Sequence, residues 1–290
     1  MPDFPIIDAH LHVWDPARIR MGWMTPGAGL NRAFTVEDYQ AQTQGIAIEA
    51  AVFVECFVDA GGFLAEVAFV EENAGRDPRI KAIVANAPVE LGNDARPFLE
   101  ALVGRHPMVR GIRRMIEFQP DTAIATRPGF RAGVQALADY DLTFDVNVHH
   151  SQMSQAVDLS RHVEGVRLVL DHCGKPPVKG GVQDGRFAVW RDHIRAFAQN
   201  PDTFCKLSDL PVEGDHVAWT VADLAPYIDE VVQTFGFDRL IFAFDWPVCT
   251  QAVTPQRWLE VLDQHFAGVS EADLRKFYAG NARRVYRMGA

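Results

Sequence analysis

Pro5-Ile6-Ile7-Asp8-Ala9-His10-Leu11-His12 reads as a strand that begins apolar and finishes on two imidazoles. Side chains at i and i+2 of a strand share a face. His10 and His12 therefore either converge on one metal ion or reacting carbonyl, or hydrogen-bond as structural residues at a strand end. Seven more β-rich runs follow: Ala51–Glu55, Ala82–Ala87, Val109–Met115, Leu142–His149, Val166–His172, Thr203–Ser208 and Leu240–Asp245. Between them lie stretches of helical periodicity, such as 64–72 and 131–138. Eight alternations of strand and helix predict an α/β fold, a parallel (β/α)8 TIM barrel whose closure removes the edge strands. One domain over residues 1–290 is expected, because no low-complexity tract or long linker divides the chain. A doubly wound open sheet is the alternative, but no Gly-x-Gly-x-x-Gly opens a helix after an early strand. The Gly- and Arg-containing stretch Asp15–Phe34 reads as a long loop over the barrel mouth.

Composition narrows the class. The chain is 48% apolar and 23% charged, ordinary for a globular protein. A formal charge of −10 argues against nucleic acid or an anionic membrane as partner. A local arginine still suits an anionic small molecule. No apolar run approaches the roughly 18 residues of a membrane span. Met1-Pro2-Asp3-Phe4 leads straight into the first strand without a basic or apolar leader, and Cys56, Cys173, Cys205 and Cys249 lack paired spacing. A cytoplasmic protein with reduced thiols is the expectation.

Barrel chemistry sits where strands finish. Strand one ends with His10 and His12, strand six with Leu170-Asp171-His172, and strand eight with Asp245 followed by Trp246-Pro247. A carboxylate ending an apolar strand also serves to cap the next helix. Closure, however, gathers His10, His12, His172 and Asp245 around one axis. In strand five Phe144, Val146 and Val148 alternate with Asp145, Asn147 and His149, which predicts an inward polar file. Arg113 shares the inward parity of Gly111, and a guanidinium fork suits a carboxylate or paired hydroxyls, or a salt bridge at the mouth. Lys206 and Ser208 alternate inward on strand seven. Glu55 is a weaker candidate on strand two. Trp14, Trp23 and Trp246 fall near mouth segments, where aromatic walls suit sugar rings or simply pack. A thiol nucleophile at Cys173 is disfavoured, because strand parity turns it away from His172.

Ile7-Asp8-Ala9-His10-Leu11-His12-Val13-Trp14-Asp15 resembles the opening of the amidohydrolase superfamily. The resemblance continues through Val109-Arg110-Gly111-Ile112-Arg113, Leu170-Asp171-His172-Cys173-Gly174-Lys175-Pro176, Lys206-Leu207-Ser208, Phe244-Asp245-Trp246-Pro247 and Gly280-Asn281-Ala282. In that order the segments look like the branch containing sugar lactonases (fuconolactone and rhamnonolactone types) and the pyrone-dicarboxylate lactonase. The chain departs from the superfamily's two-metal members, since strand four reads Val109-Arg110-Gly111-Ile112-Arg113-Arg114-Met115 without the lysine they carboxylate. It also has Ala243-Phe244-Asp245-Trp246-Pro247 where the branch usually reads Gly-Ser-Asp-Trp-Pro. His149 stands where other members place a metal ligand.

The resemblance implies a hydrolase of carbohydrate catabolism that opens a sugar lactone, with a small molecule as its partner. Asp245 is the expected general base, and His10, His12 and His172 polarise the carbonyl. Alternatively His10, His12 and Asp245 bind one divalent ion, zinc first, as a dispensable Lewis acid. Arg113, His149, Lys206 and Trp14 are the expected substrate contacts. The competing reactions are a metal-dependent non-oxidative decarboxylation on the same scaffold and a silent sugar-acid-binding barrel. Oligomeric state is left open.

Overall fold

Apolar runs bounded by turn residues form eight short strands in the computed structural model, which describes residues 2–25 and 27–289. They are β1 (Ile6–Leu11), β2 (Ile48–Val54), β3 (Ile80–Ala85), β4 (Val109–Arg113), β5 (Thr143–Val146), β6 (Leu168–Leu170), β7 (Thr203–Leu207) and β8 (Leu240–Phe242). All neighbouring pairs are parallel, in the order β1 to β8. The ring closes where Leu11 bridges Trp246 just past β8. The result is the expected single-domain (β/α)8 barrel.

One main helix follows each strand: α1 (Val36–Gln42), α2 (Phe63–Arg76), α3 (Arg96–Arg105), α4 (Pro128–Ala136), α5 (Met153–His162), α6 (Gly185–Phe197), α7 (Val221–Arg239) and α8 (Pro255–His265). Their starts are written locally. Thr35 with Asp38 and Thr220 with Asp223 form capping boxes at α1 and α7, and Thr254 caps α8 ahead of Pro255. Each helix lays an apolar stripe on the sheet, as Val67 and Val70 of α2 and Leu259 and Leu262 of α8 do. No helix among the described residues is long and apolar enough to cross a membrane.

Two cores result. The larger lies between barrel and helices. The smaller fills the lower barrel with Ile7, Ala9, Val52, Val84, Phe204 and Ile241, and the C-terminal Val285, Tyr286 and Met288 plug it from below. Gly111 belongs to this narrow interior, because a Cβ there meets the Thr143 hydroxyl at 2.1 Å. With the bottom sealed, chemistry is confined to the mouth. There the stretch after β1 crosses the opening, pinned by the Trp14–Phe34 bridge.

Candidate active site

A bulge aims the two leading imidazoles. Ile7 and Ala9 pack inside the barrel, whereas Leu11 and Val13 pack outside it. The pairing of β1 with β2 is irregular between Asp8 and Leu11. This extra residue resets the alternation, so His10 follows Ala9 inward and His12 follows His10. Asp8 fastens the turn, accepting from the backbone N–H groups of His10 (3.1 Å) and Phe244 (3.0 Å) and from the Tyr39 hydroxyl (2.9 Å).

Closure then supplies the carboxylate. Asp245 N–H donates to His10 O at 3.0 Å and His12 N–H to Trp246 O at 2.8 Å, which seats Asp245 beside the pair. Asp245 adopts φ 62°, and His172 (49°), Cys173 (55°), Lys175 (46°), Asp209 (63°) and Phe57 (53°) share this left-handed region. Each follows a strand end at the mouth. Non-glycine residues rarely hold such backbone without compensation, and they gather at functional sites.

The side chains converge tightly. Asp245 Oδ1 lies 3.2 Å from His12 Nε2 and 3.4 Å from His10 Nε2, and the two Nε2 atoms are 3.1 Å apart. His172 Nε2 lies 3.8 Å from Asp245 Oδ2, and its Nδ1 sits 2.9 Å from the Ser208 hydroxyl. His12 donates from Nδ1 to Val54 O at 2.7 Å, which leaves its Nε2 as a lone pair.

Below them runs a dry ionic web. Lys206, wholly buried, reaches Asp145 Oδ2 at 2.6 Å, Asp171 Oδ1 at 2.9 Å and His10 Nδ1 at 3.1 Å. Arg113 spends Nε on Glu55 Oε1 (2.8 Å), Nη1 on Asp171 Oδ2 (3.1 Å) and Nη2 on the Glu55 carbonyl, with Nη1 3.2 Å from His10 Nε2. Tyr286 donates to Asp145 at 2.8 Å.

Burial first, then the Lys206 ammonium, holds His10 well below the ordinary histidine range, so it is neutral. Burial likewise takes His172 down to about 4, partly offset by Asp245 and Asp171. Burial alone would push the Asp245 carboxyl up, but the imidazoles of His172, His10 and His12 outweigh it and hold the group ionised. Asp209 touches Asp245; burial, then the charges of Asp245 and Glu213, push its carboxyl well up.

A cavity of about 500 Å³ opens above this floor, and its polar lining is His12, Arg113, Asn147, His172, Lys175 and Asp245. Trp14 is on its wall, with Nε1 donating to Arg32 O at 2.8 Å. Four expected positions need restating. His10 is fully buried just under the cavity floor. Lys206 lies deeper still, tied to Asp145 and Asp171. Arg113 reaches the wall, but its three nitrogens are held by Glu55 and Asp171. His149 lies beyond the end of β5, capping a short turn through its contact with Ser151 rather than following the inward file of Asp145 and Asn147. Asp171 and Asp209 were not singled out by the sequence. A lysine placed inside a barrel needs buried carboxylates, and Lys206 is the signal by which Asp171 could have been found.

The donor chemistry fits one divalent cation. Asp245 Oδ1 is buried without a hydrogen-bond partner among the described residues. It faces the lone pair of His12, and His10, His172 and Asp245 offer ligand atoms within 4.8 Å of one another. His10 takes part only in the tautomer whose Nδ1–H turns to Asp171 Oδ1, 3.4 Å away.

Comparison with known proteins finds relatives over nearly the whole chain. A family model described as Amidohydrolase matches residues 7–288. The chain is 29% identical to an L-fucono-1,5-lactonase of Burkholderia ambifaria, over 97% of this chain and 95% of that one. It is 24% identical to an L-rhamnono-gamma-lactonase of Scheffersomyces stipitis, over 99% of each. A crystal structure of an amidohydrolase from Burkholderia multivorans with bound zinc superposes with a TM-score of 0.87 at 27% identity, covering 99% of this chain and 100% of that one.

Proposed function

The chain belongs to the amidohydrolase family, and from that premise we propose that it is a hydrolase opening a lactone, with sugar lactones as the first class to test. The relatives named as lactonases support the reaction class. The observation that carries the mechanism is an ionised, buried Asp245 on the floor of the cavity, within 4 Å of three imidazoles.

Asp245 takes the proton of a water attacking the lactone carbonyl, and returns it to the ring oxygen as the tetrahedral intermediate collapses. His172 is the imidazole free to polarise the carbonyl. With the Ser208 hydroxyl donating to Nδ1, it presents Nε2–H towards the cavity. His12, whose only N–H goes to Val54, keeps an acceptor beside Asp245 and helps orient the water. His10, whose Nδ1 accepts a hydrogen bond from Lys206, donates from Nε2 to His12 and fixes that orientation from below. A divalent cation held by His12, Asp245 and His10 would supply Lewis-acid polarisation of the same carbonyl.

Proton release followed with a pH indicator tests the reading across a panel of aldonolactones and pyrone lactones, with chelator-treated and zinc-supplemented enzyme side by side. Turnover by both preparations supports hydrolysis without obligatory metal. Turnover only with zinc assigns His10, His12 and Asp245 to the ion. Carbon dioxide release from aromatic acids, with no lactone opened, overturns the proposal in favour of decarboxylation.

A further inference from the structure

Above its polar floor the cavity is walled by Trp23, Leu30, Phe57, Met115, Phe118 and Val248. Phe118 and Trp23 are among the few large apolar side chains left open, 59% and 36% exposed, and both stand on this rim. Phe57 backs Phe118 with ring centroids 6.0 Å apart, so the apolar surface is continuous.

The polar side chains left for substrate hydroxyls are few. Arg113 commits an N–H on each of its three nitrogens to Glu55 or Asp171 and is only 2% exposed, so little of its fork reaches the cavity. His12, His172 and Asp245 are committed to the reacting carbonyl and water. Lys175 is tied to Glu117 at 2.6 Å. Asn147 remains, its Oδ1 buried and without a partner among the described residues. Aromatic faces do stack on sugar rings, but Leu30, Met115 and Val248 offer neither a stacking face nor a hydrogen bond. Each ring hydroxyl buried against such a wall without a partner costs roughly tenfold in affinity.

We infer that the preferred lactone carries an apolar alkyl or aryl substituent, seated against Trp23, Leu30 and Phe118, and at most one or two hydroxyls, met by Asn147. This rests on the lactone-opening reading and moves its substrate class away from polyhydroxylated sugar lactones. The ester end sits on the imidazole floor and the apolar end points towards the rim.

The test compares three six-membered rings: an unsubstituted δ-lactone, the same ring bearing a butyl group on the carbon next to the ring oxygen, and a fully hydroxylated aldono-δ-lactone. Binding is read separately with the corresponding δ-lactams, which resist opening, by titration calorimetry. The expected result is that the butyl group tightens lactam binding and raises kcat/KM by roughly tenfold or more over the unsubstituted ring. The polyhydroxylated ring should gain nothing. Phe118→Ser should shrink the butyl advantage several-fold. A polyhydroxylated lactam binding as tightly as the butyl one, or an unchanged advantage in Phe118→Ser, overturns the inference. The expected binding order with no lactone opened overturns the reaction instead, and leaves the cavity's preference intact.

Discussion

Asp245→Asn removes the proton acceptor while keeping the shape of the side chain. Asparagine tolerates the left-handed backbone that Asp245 occupies at φ 62°, so the bond from residue 245 N–H to His10 O and the closure of the barrel survive. Of the neighbouring imidazoles, His172 and His10 are poor replacements for the lost base. His172 stands at about 4 partly because the Asp245 charge raises it, and removing that charge makes it a still weaker base. His10 is kept neutral by burial and Lys206. A positioned general base is worth about 10²–10⁴ in rate, so kcat on the best lactone should fall by that factor, about 3–5 kcal/mol in the barrier. Kd for an unreactive lactam should move less than about tenfold, since the cavity walls are untouched. Proton release gives kcat, calorimetry gives Kd, and circular dichroism with a melting curve confirms the fold. A well-folded variant within about tenfold of the parent rate refutes the base assignment.

Three further outcomes follow from the buried charges. Lys206→Met leaves Asp145 and Asp171 facing each other in a dry barrel and should cost about 3–5 kcal/mol in urea unfolding at pH 7; a loss under about 1 kcal/mol would show that the web is not coupled as described. Arg113→Met strands Glu55 and Asp171 in the same way, so it should lower stability by a similar amount and not simply raise KM, and an unshifted urea midpoint with a higher KM would restore a substrate-gripping role. Glu66 is pushed up to about 8 by burial, then by Glu55, with Oε2 unpartnered. Its folded value lies above its unfolded one, so the stability tied to its protonated form is complete below pH about 4.5 and lost as pH rises through 8, about 5 kcal/mol in all. Glu66→Gln should therefore flatten the fall in stability between pH 5 and 9, and an equally steep fall in the variant rules this assignment out.

The barrel was legible because its signals are local and repeated: eight apolar runs, each beside a stretch of helical period. The convergence of His10, His12, His172 and Asp245 was legible too, because it needs only strand ends and closure. What parity cannot give is depth along the barrel axis. Lys206 and Arg113 do face inward, yet the register of β7 and β4 sets them low enough to meet Asp171 between them. Alternation also stops where the strand stops. β5 ends at Val146, so Asn147 still reaches the wall while His149 has turned away to cap a helical turn. The bulge at Asp8–Leu11 left no mark in the apolar pattern, and His10 and His12 share a face with or without it.

The ionic web beneath the floor is more than ballast, and His10 shows why. Buried ion pairs roughly break even against well-packed apolar replacements, so stability alone does not account for two cations inside a barrel. Lys206 meets one ring nitrogen of His10 at 3.1 Å and Arg113 the other at 3.2 Å, while their countercharges Asp145, Asp171 and Glu55 surround them. An imidazolium at His10 would sit 3.4 Å from Asp245 and draw down its basicity. Burial prevents that first, and the Lys206 ammonium reinforces it by repelling the proton. Asp245 is the one carboxylate among the cavity's lining residues, and the neutral His10 and His172 beside it do not compete for its proton. The strained strand ends set where that carboxylate points, and the imidazoles beside it keep it ionised and open to a proton.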